Sequence, residues 1–258
     1  MKNRIQGGEG PRGRVKGDGH QRSYRNRAGC AGLVSFKVVC QETDLMIQAD
    51  RWLETEARER VLHYRGHIEG YIQRFPEFAT TLVPWQAPAL APAIVREMIQ
   101  AGRAAGVGPM AAVAGAMAEA VGRDLLTVSR QVVVENGGDL FIKSDGPLVV
   151  GIFAGQSPLS MKIGIRLPGA ADGVGLCTSS ATVGHSLSSG SADAVCVVAR
   201  PCALADAAAT AIGNRVGSPA DIRSAIAWGR DIPGVMGMVV VTGRQMGAWG
   251  SLEIIPLP

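Results

Sequence analysis

The sequence predicts an α+β protein in which mixed or antiparallel sheets pack with helices in a single compact domain. Nine or ten short apolar runs follow one another in hairpin-like succession, and five segments have helical spacing. No strand leads into a Gly-x-Gly-x-x-Gly turn that opens a helix, which disfavours a doubly wound dinucleotide-binding fold. With 258 residues, 47% hydrophobic and 19% charged, the chain can bury a large core.

The basic character of the chain is concentrated at its N-terminus. Residues 1–28 contain eight basic and two acidic side chains, a net charge of +6, whereas the whole chain carries only +4. The remainder is therefore slightly acidic. Because the segment is rich in glycine and arginine and lacks interleaved aromatic residues, we expect a mobile, solvated tail and no nucleic-acid partner, with the folded domain spanning residues 29–258.

Two absences indicate a cytoplasmic protein without a membrane partner. No apolar run has the length of a membrane span, and the N-terminus lacks the apolar core of a signal peptide. The five cysteines are scattered and include no Cys-x-x-Cys pair, so neither a disulfide framework nor a zinc site is predicted.

The first half of the chain combines two strands with three helices. The strands are predicted at 33–40 and 44–49, and the helices at 54–75, 89–102 and 110–123. Gly108 and Pro109 precede the third helix, and its early amides are free to hold a phosphate or a flavin edge near Gly108 and Met110. The alternative is close helix packing. Glu119 in this helix is either a surface residue or part of the site.

A hairpin follows at 131–142. Its turn, Asn136-Gly137-Gly138, supplies the positive φ angles of a tight turn, and Asp139 lies directly beyond it.

The second half alternates strands with two more helices. Strands are predicted at 148–154, 161–166, 174–180, 193–199, 235–242 and 252–255, with helices at 202–214 and 219–228. A polar, Gly- and Ser-rich passage runs to Ala192 and contains His185. Long loops of this kind in compact domains are more often functional than decorative.

The helix at 202–214 carries Asp206 and Thr210 on one face, with only alanine between them. A carboxylate and a hydroxyl on a small-residue scaffold suit a magnesium ion that also binds water and phosphate. The structural alternative is that Asp206 favours a positive helix start and Thr210 bonds back to a carbonyl one turn earlier.

As a set, these motifs resemble a known superfamily. The Gly137–Asp139 turn and the Ala205–Thr210 helix are similar to the signature of the ApbE superfamily, the FAD:protein FMN transferases. Residues 108–119 and 42–45 more closely resemble an uncharacterised cytosolic branch related to ApbE. The similarity extends from about Tyr24 to the C-terminus.

This resemblance implies a flavin site with magnesium. Asp206 and Thr210 would hold the metal ion, and His185 or Asp139 would be the base. Where ApbE proteins have a Thr-Ser-Gly turn this chain has Thr178-Ser179-Ser180, and it lacks the Asp-Pro segment that follows the ApbE histidine. The residues expected to contact FAD are Gly108, Met110, Gly137, Gly138, Thr178, Ser179 and Ser180.

The resemblance leaves three functions open. The first is FMN transfer from FAD, a small phosphate-bearing ligand, to an acceptor protein. The second is sulfur assimilation, since the resembled branch is associated with homocysteine synthesis from sulfide, and Cys177 and Cys202 would be its sulfur carriers. The third is a non-catalytic binding protein that keeps the fold. A homodimer is compatible with each of them.

Overall fold

The computed structural model describes residues 32–86, 90–180 and 190–258. Within them the chain forms five α-helices and eleven β-strands. The helices are α1 (Glu54–Arg74), α2 (Ala93–Ala105), α3 (Val113–Leu125), α4 (Cys202–Gly213) and α5 (Ile222–Gly229). The strands are β1 (Val34–Cys40), β2 (Thr43–Ala49), β3 (Val132–Asn136), β4 (Asp139–Lys143), β5 (Leu148–Gly151), β6 (Ile163–Leu167), β7 (Val174–Ser179), β8 (Ala194–Ala199), β9 (Val235–Thr242), β10 (Gln245–Gly250) and β11 (Glu253–Pro256).

Two antiparallel sheets organise the domain. The larger sheet has eight strands in the order β1-β2-β3-β4-β7-β8-β9-β10, and the smaller has three in the order β11-β6-β5. Every neighbouring pair in the described part of the chain is antiparallel. The predicted α+β class is thereby confirmed.

The larger sheet buries both faces, because strand residues alternate between its two sides. One face packs against the helices; Val134, Phe141 and Val197 belong to that core. The other packs against the smaller sheet through residues such as Ile142 and Leu176. The result is a three-layer arrangement of helices, large sheet and small sheet.

Local signals explain where several elements end. Gly106, with φ of 71°, ends α2 in the left-handed conformation that glycine adopts without strain. Ser218 and Asp221 form a capping box before α5, as expected from a serine ahead of a proline-initiated helix.

Several predicted boundaries were wrong: the strand predicted at 148–154 ends at Gly151, and the helix predicted at 219–228 begins as an α-helix only at Ile222. A 3₁₀ turn occupies Pro109–Ala112, so α3 begins at Val113 and not at 110; α2 likewise begins at Ala93 and not at 89. Residues 243–247 are not all turn: Gly243 and Arg244 connect β9 to the strand β10 that the sequence reading missed. The two glycines inside β10 obscured its alternation, because glycine is unfavourable in strands.

In the described ranges, no single helix is long and apolar enough to cross a membrane; one pair, Ala93–Ala105 with Pro109–Leu125, meets that test jointly across a bend of 106°. The predicted tail at residues 1–28 lies outside the described residues and stays a prediction.

Candidate functional site

Asp206 caps a neighbouring helix. Its Oδ2 accepts a hydrogen bond of 2.9 Å from the backbone amide of Gly115, and the amide of Ala114 also bonds to this carboxylate. Both amides belong to the first turn of α3, where backbone N–H groups have no partner within the helix. The sequence also suggested that Asp206 stabilises the positive start of a helix. It does so, but the helix is α3 and not its own helix, α4.

Gly115 makes this close approach possible. A Cβ atom at this position would lie 2.5 Å from the carbonyl oxygen of Cys202 and 2.9 Å from the Cβ of Asp206. Any larger residue would push α3 away from α4. The close helix packing weighed for this segment is thus observed at Gly115.

Glu119 makes the reciprocal contact. It is 6% exposed, and its Oε2 accepts a hydrogen bond of 2.6 Å from the backbone amide of Cys202, the first residue of α4. Its other oxygen pairs with Arg123. Each of the two helices therefore supplies a carboxylate to the N-terminus of the other, where the helix dipole favours negative charge.

Asp139 lies at the end of the large sheet nearest to this helix pair. Gly137, with φ of 76°, turns the chain, and Asp139 then pairs with Asn136 on β3 and Cys177 on β7. Burial raises the pKa of Asp139 to about 7; hydrogen bonds from Cys177 and the Thr178 amide oppose the shift, and the charge of Glu135 adds to it. A carboxyl group with this pKa can exchange a proton near neutral pH.

Asp139 and Asp206 influence each other electrostatically. Burial raises the pKa of Asp206 well above its ordinary range, and the charge of Asp139 is the next cause; the amides of Gly115 and Ala114 act in the opposite direction. Because the charge of Asp139 disfavours the ionised form of Asp206, a nearby positive charge would stabilise the two carboxylates together. A cation between the sheet end and α4 would supply that charge.

The oxygen atoms of Asp206 and Thr210 suit magnesium better than a metal ion whose ligands all come from the protein. Thr210 lies one turn beyond Asp206 on α4 and is 7% exposed. Across the described ranges, no three His, Cys, Asp or Glu side chains are arranged to hold a metal ion. Magnesium commonly takes only one or two protein carboxylates and completes its shell with water and substrate phosphate. The residues present fit that kind of site.

The Thr178-Ser179-Ser180 segment ends β7 beside the β3–β4 turn. Thr178 donates its amide to the carbonyl of Gly138 over 3.1 Å. Ser179 lies two residues beyond Cys177 and therefore on the same, helix-facing side of the strand. Its hydroxyl is buried and has no hydrogen-bond partner in the described structure. An orphaned buried hydroxyl is costly, and a polar ligand would satisfy it.

The side chains of Cys177 and Cys202 are in contact, and Cys177 is paired with Asp139 across strands β7 and β4. Their sulfur atoms are 3.5 Å apart, and both thiols are fully buried. Burial raises the pKa of each thiol, so that neither is activated as a thiolate.

The structure places two of the predicted site residues, Gly108 and Met110, in packing contacts. Gly108 packs against the chain near residue 81: a Cβ there would lie 1.9 Å from the carbonyl of Thr81. Met110 belongs to the 3₁₀ turn and packs against the core. Both are placed as packing residues, and a ligand role for them stays a prediction. His185 lies outside the described residues.

The sequence left the role of Glu119 open and did not indicate the hydrogen bonds made by Gly115 and Asn136. Gly115 and Glu119 support Asp206 and α4, and the side-chain amide of Asn136 donates to the carbonyl of Ala114 over 3.2 Å, which ties the β3–β4 turn to α3. The isolated charge of Glu119 on an alanine-rich face was the one available signal.

An open groove of about 570 Å³ lies at the opposite end of the β3–β4 hairpin. Its charged groups are already paired: the carboxylate of Asp50 accepts the Arg130 amide at 2.5 Å, and Arg130 and Lys143 both contact Asp145. The groove therefore offers no unmatched charge to a ligand.

Comparison with known proteins shows which family the chain resembles. A family model described as "AbpE bacteria" matches residues 25–244. The UPF0280 protein of Methanocella arvoryzae is 42% identical over 85% of this chain and 89% of its own length. That of Methanococcus aeolicus is 40% identical over 85% of this chain and 91% of its own length.

Solved structures share the fold. A variant of the flavin transferase ApbE from Vibrio cholerae aligns with a TM-score of 0.56 at 14% identity, covering 86% of this chain and 98% of that one. The ApbE protein of Thermotoga maritima aligns with a TM-score of 0.52 at 14% identity, covering 83% of this chain and 96% of that one. At such low identity the similarity establishes the fold alone. The sequence matches establish more: the chain belongs to the ApbE-related family described as AbpE bacteria.

Proposed function

We propose that this protein binds FAD with magnesium at the site formed by Asp139, Asp206 and Thr210, and transfers FMN to a hydroxyl group of an acceptor protein. The observation that carries the proposal is the link between the carboxylates Asp139 and Asp206 through α3: the Gly115 amide donates to Asp206, and Asn136, at the turn before Asp139, donates to the carbonyl of Ala114. The charge of Asp139 disfavours ionisation of Asp206, an effect that a cation would relieve. The name of the Vibrio cholerae structural neighbour, flavin transferase, supports the choice of ligand.

Asp206 and Thr210 are the residues that would hold magnesium. Asp206 uses Oδ2 for the amide of Gly115, so its second oxygen is the one we assign to the cation. Thr210 contributes a neutral hydroxyl oxygen from the same helix face. When bound, magnesium would neutralise the charge of the FAD pyrophosphate and polarise the phosphorus that is attacked.

The backbone around the β3–β4 turn provides room for a phosphate group. A Cβ atom on Gly137 would meet no atom within 4 Å, so that position is open. Gly138 lies against Thr178, and the Ser179 hydroxyl, which has no hydrogen-bond partner among the described residues, is near the same edge of the sheet. These groups are our candidates for contacts with the ligand.

Asp139 is our candidate for the base among the described residues. Transfer forms a bond between phosphorus and the acceptor oxygen, breaks the bond to the departing AMP, and releases the hydroxyl proton. Without a bound cation burial raises the pKa of Asp139 to about 7, so that it is ionised in part near neutral pH; a cation at Asp206 would lower this pKa and favour the ionised form that accepts a proton. The role of His185 as a base stays a prediction.

The transfer step is tested by measuring AMP. Purified protein is incubated with FAD, magnesium and a mixture of candidate acceptor proteins; released AMP is quantified, and covalent flavin is detected by fluorescence on a denaturing gel. We expect both products from the wild type and neither from Asp206→Asn or in the presence of a chelator. Bound FAD that yields no AMP from the wild type would contradict the transfer.

Sulfur carriage is the second candidate function, and the contact between Cys177 and Cys202 is the observation in its favour. A sulfur carrier attacks as a thiolate, however, and burial raises the pKa of both thiols. We therefore rank it below flavin transfer. If the protein carries sulfur, replacing Cys177 or Cys202 should abolish its activity. If the protein is a non-catalytic binding protein, replacing Asp206 should leave its function unchanged.

A further inference from the structure

We propose that Cys177 and Cys202 are a site of reversible oxidation, at which an intramolecular disulfide forms and weakens ligand binding at the neighbouring carboxylates. The disulfide itself stands on the geometry of the two thiols; only its effect on binding rests on the proposed function.

The two sulfur atoms are already in contact. They are 3.5 Å apart, against about 2.05 Å in a disulfide, so each must move by less than about 1 Å. We infer that rotation about the side-chain bonds supplies this movement. Among the described cysteines, Cys40 and Cys196 are also buried and free, and neither has a sulfur partner among its hydrogen-bond contacts.

The backbones that carry the two cysteines are held close together. Cys202 is the first residue of α4, and a Cβ atom on Gly175 of β7 would lie 2.4 Å from its Cα. Cys177 lies two residues along the same strand, on the face that meets α4. A glycine at position 175 thus permits the approach that brings the thiols together.

Oxidation would change the surroundings of Asp139. The Cys177 thiol donates to the carbonyl oxygen of Cys202 over 3.4 Å, and its hydrogen-bonding interaction with the Asp139 carboxylate lowers the pKa of that carboxyl group. With hydrogen peroxide as oxidant, one cysteine is oxidised through its thiolate to a sulfenic acid and a first water is released; the second thiol then attacks that sulfur, the sulfur–sulfur bond forms and a second water leaves. A dithiol reductant reverses the step. Because burial raises the pKa of both thiols, we expect this oxidation to be slow, which a regulatory site tolerates and a sulfur carrier that turns over does not. The disulfide has no hydrogen to donate, so Asp139 loses a contact that orients it.

The disulfide can be located by mass spectrometry of the full-length protein. Reduced protein is treated with hydrogen peroxide, its remaining thiols are alkylated after denaturation, and the chain is cut before aspartate residues. Cleavage before Asp172, Asp193 and Asp206 separates Cys177 from the fragment that contains Cys202. We expect a linked pair of fragments that a reductant separates.

A matched variant identifies the partner, because Cys196 lies on the same fragment as Cys202. The link should persist in Cys196→Ala and disappear in Cys202→Ala. The proposal would be overturned if the fragments of the oxidised wild type were not linked, or if the link disappeared in Cys196→Ala. Neither outcome depends on a variant of Cys177 or Cys202.

The effect on the site is read from FAD titrations with magnesium. We expect oxidation to raise the dissociation constant several-fold in the wild type and reduction to restore it, with no change in Cys202→Ala. Equal affinities of oxidised and reduced wild type would overturn the control of binding. If the reduced protein binds no FAD, the proposed function fails, and the disulfide is still decided by the fragment masses.

Discussion

The carboxylate of Asp206 lies 2.9 Å from the backbone amide of Gly115, which joins the candidate metal ligand to the start of a second helix. Asp206 therefore has two roles that can be separated. One oxygen accepts hydrogen bonds within the fold, and the charge of the group serves the proposed ligand. Substitutions that keep one property and remove the other distinguish the two.

The first prediction concerns these two roles. Asp206→Asn keeps an oxygen that can accept the Gly115 amide but removes the negative charge, so we expect a folded protein whose FAD binding no longer responds to magnesium. Asp206→Ala removes the cap as well and should cost an additional ~1 to 2 kcal/mol of unfolding free energy, measured by urea denaturation. Equal stability of the two variants would argue against the cap.

The second prediction concerns Glu119. In Glu119→Ala the Cys202 amide loses its buried partner and Arg123 loses its ion pair, so we expect a loss of ~1 to 3 kcal/mol in the free energy of unfolding. Glu119→Gln should recover part of the loss, because its amide oxygen still accepts. The control is Glu59→Ala on the exposed face of α1, which should leave the urea midpoint unchanged.

The third prediction concerns pH. The pKa of Asp139 is raised in the folded state to about 7 from an ordinary value of 3.8. Between these two pH values the folded state binds more protons than the unfolded state, so the contribution of Asp139 to stability falls as pH rises from about 4 to about 7. Asp206 is shifted in the same direction.

Asp139→Asn should remove this pH dependence in part. Relative to the wild type, we expect the variant to gain stability as pH increases from 4 to 8 in the absence of magnesium, as followed by thermal unfolding. A constant difference between the two proteins across that range would contradict the raised pKa.

The fourth prediction concerns the glycine between α3 and α4. Gly115→Ala places a Cβ 2.5 Å from the carbonyl of Cys202, so we expect lower thermal stability and weaker magnesium-dependent binding together. Gly66→Ala is the matched control, since a Cβ at that exposed position of α1 meets no atom within 4 Å. It should raise stability by ~0.5 to 1 kcal/mol, because alanine favours a helix over glycine.

Local sequence patterns predicted most of the fold. The hairpin at β3 and β4 followed from its Asn-Gly-Gly turn, and the long helix α1 from its apolar periodicity and Pro76. Strand β10 was missed because its pairing with β9, not its composition, determines its conformation. Strand order in the large sheet likewise depends on contacts between distant residues.

The candidate site was predictable only in part. Asp206 and Thr210 share a helix face because of their spacing, which a sequence shows directly. The bonds from Gly115 to Asp206 and from Cys202 to Glu119 join residues 91 and 83 positions apart, and no local pattern encodes such partners. The contact between Cys177 and Cys202 is of the same kind.

An equilibrium titration with FAD, with and without magnesium, on the wild type and on Asp206→Asn tests the central claim most directly. Folding of the variant is verified beforehand by its thermal unfolding curve. We predict that magnesium tightens FAD binding to the wild type and has no effect on the variant. Binding to the wild type that is absent or independent of magnesium, or a variant that responds as the wild type does, would contradict the assignment of Asp206 as the residue that holds the metal ion.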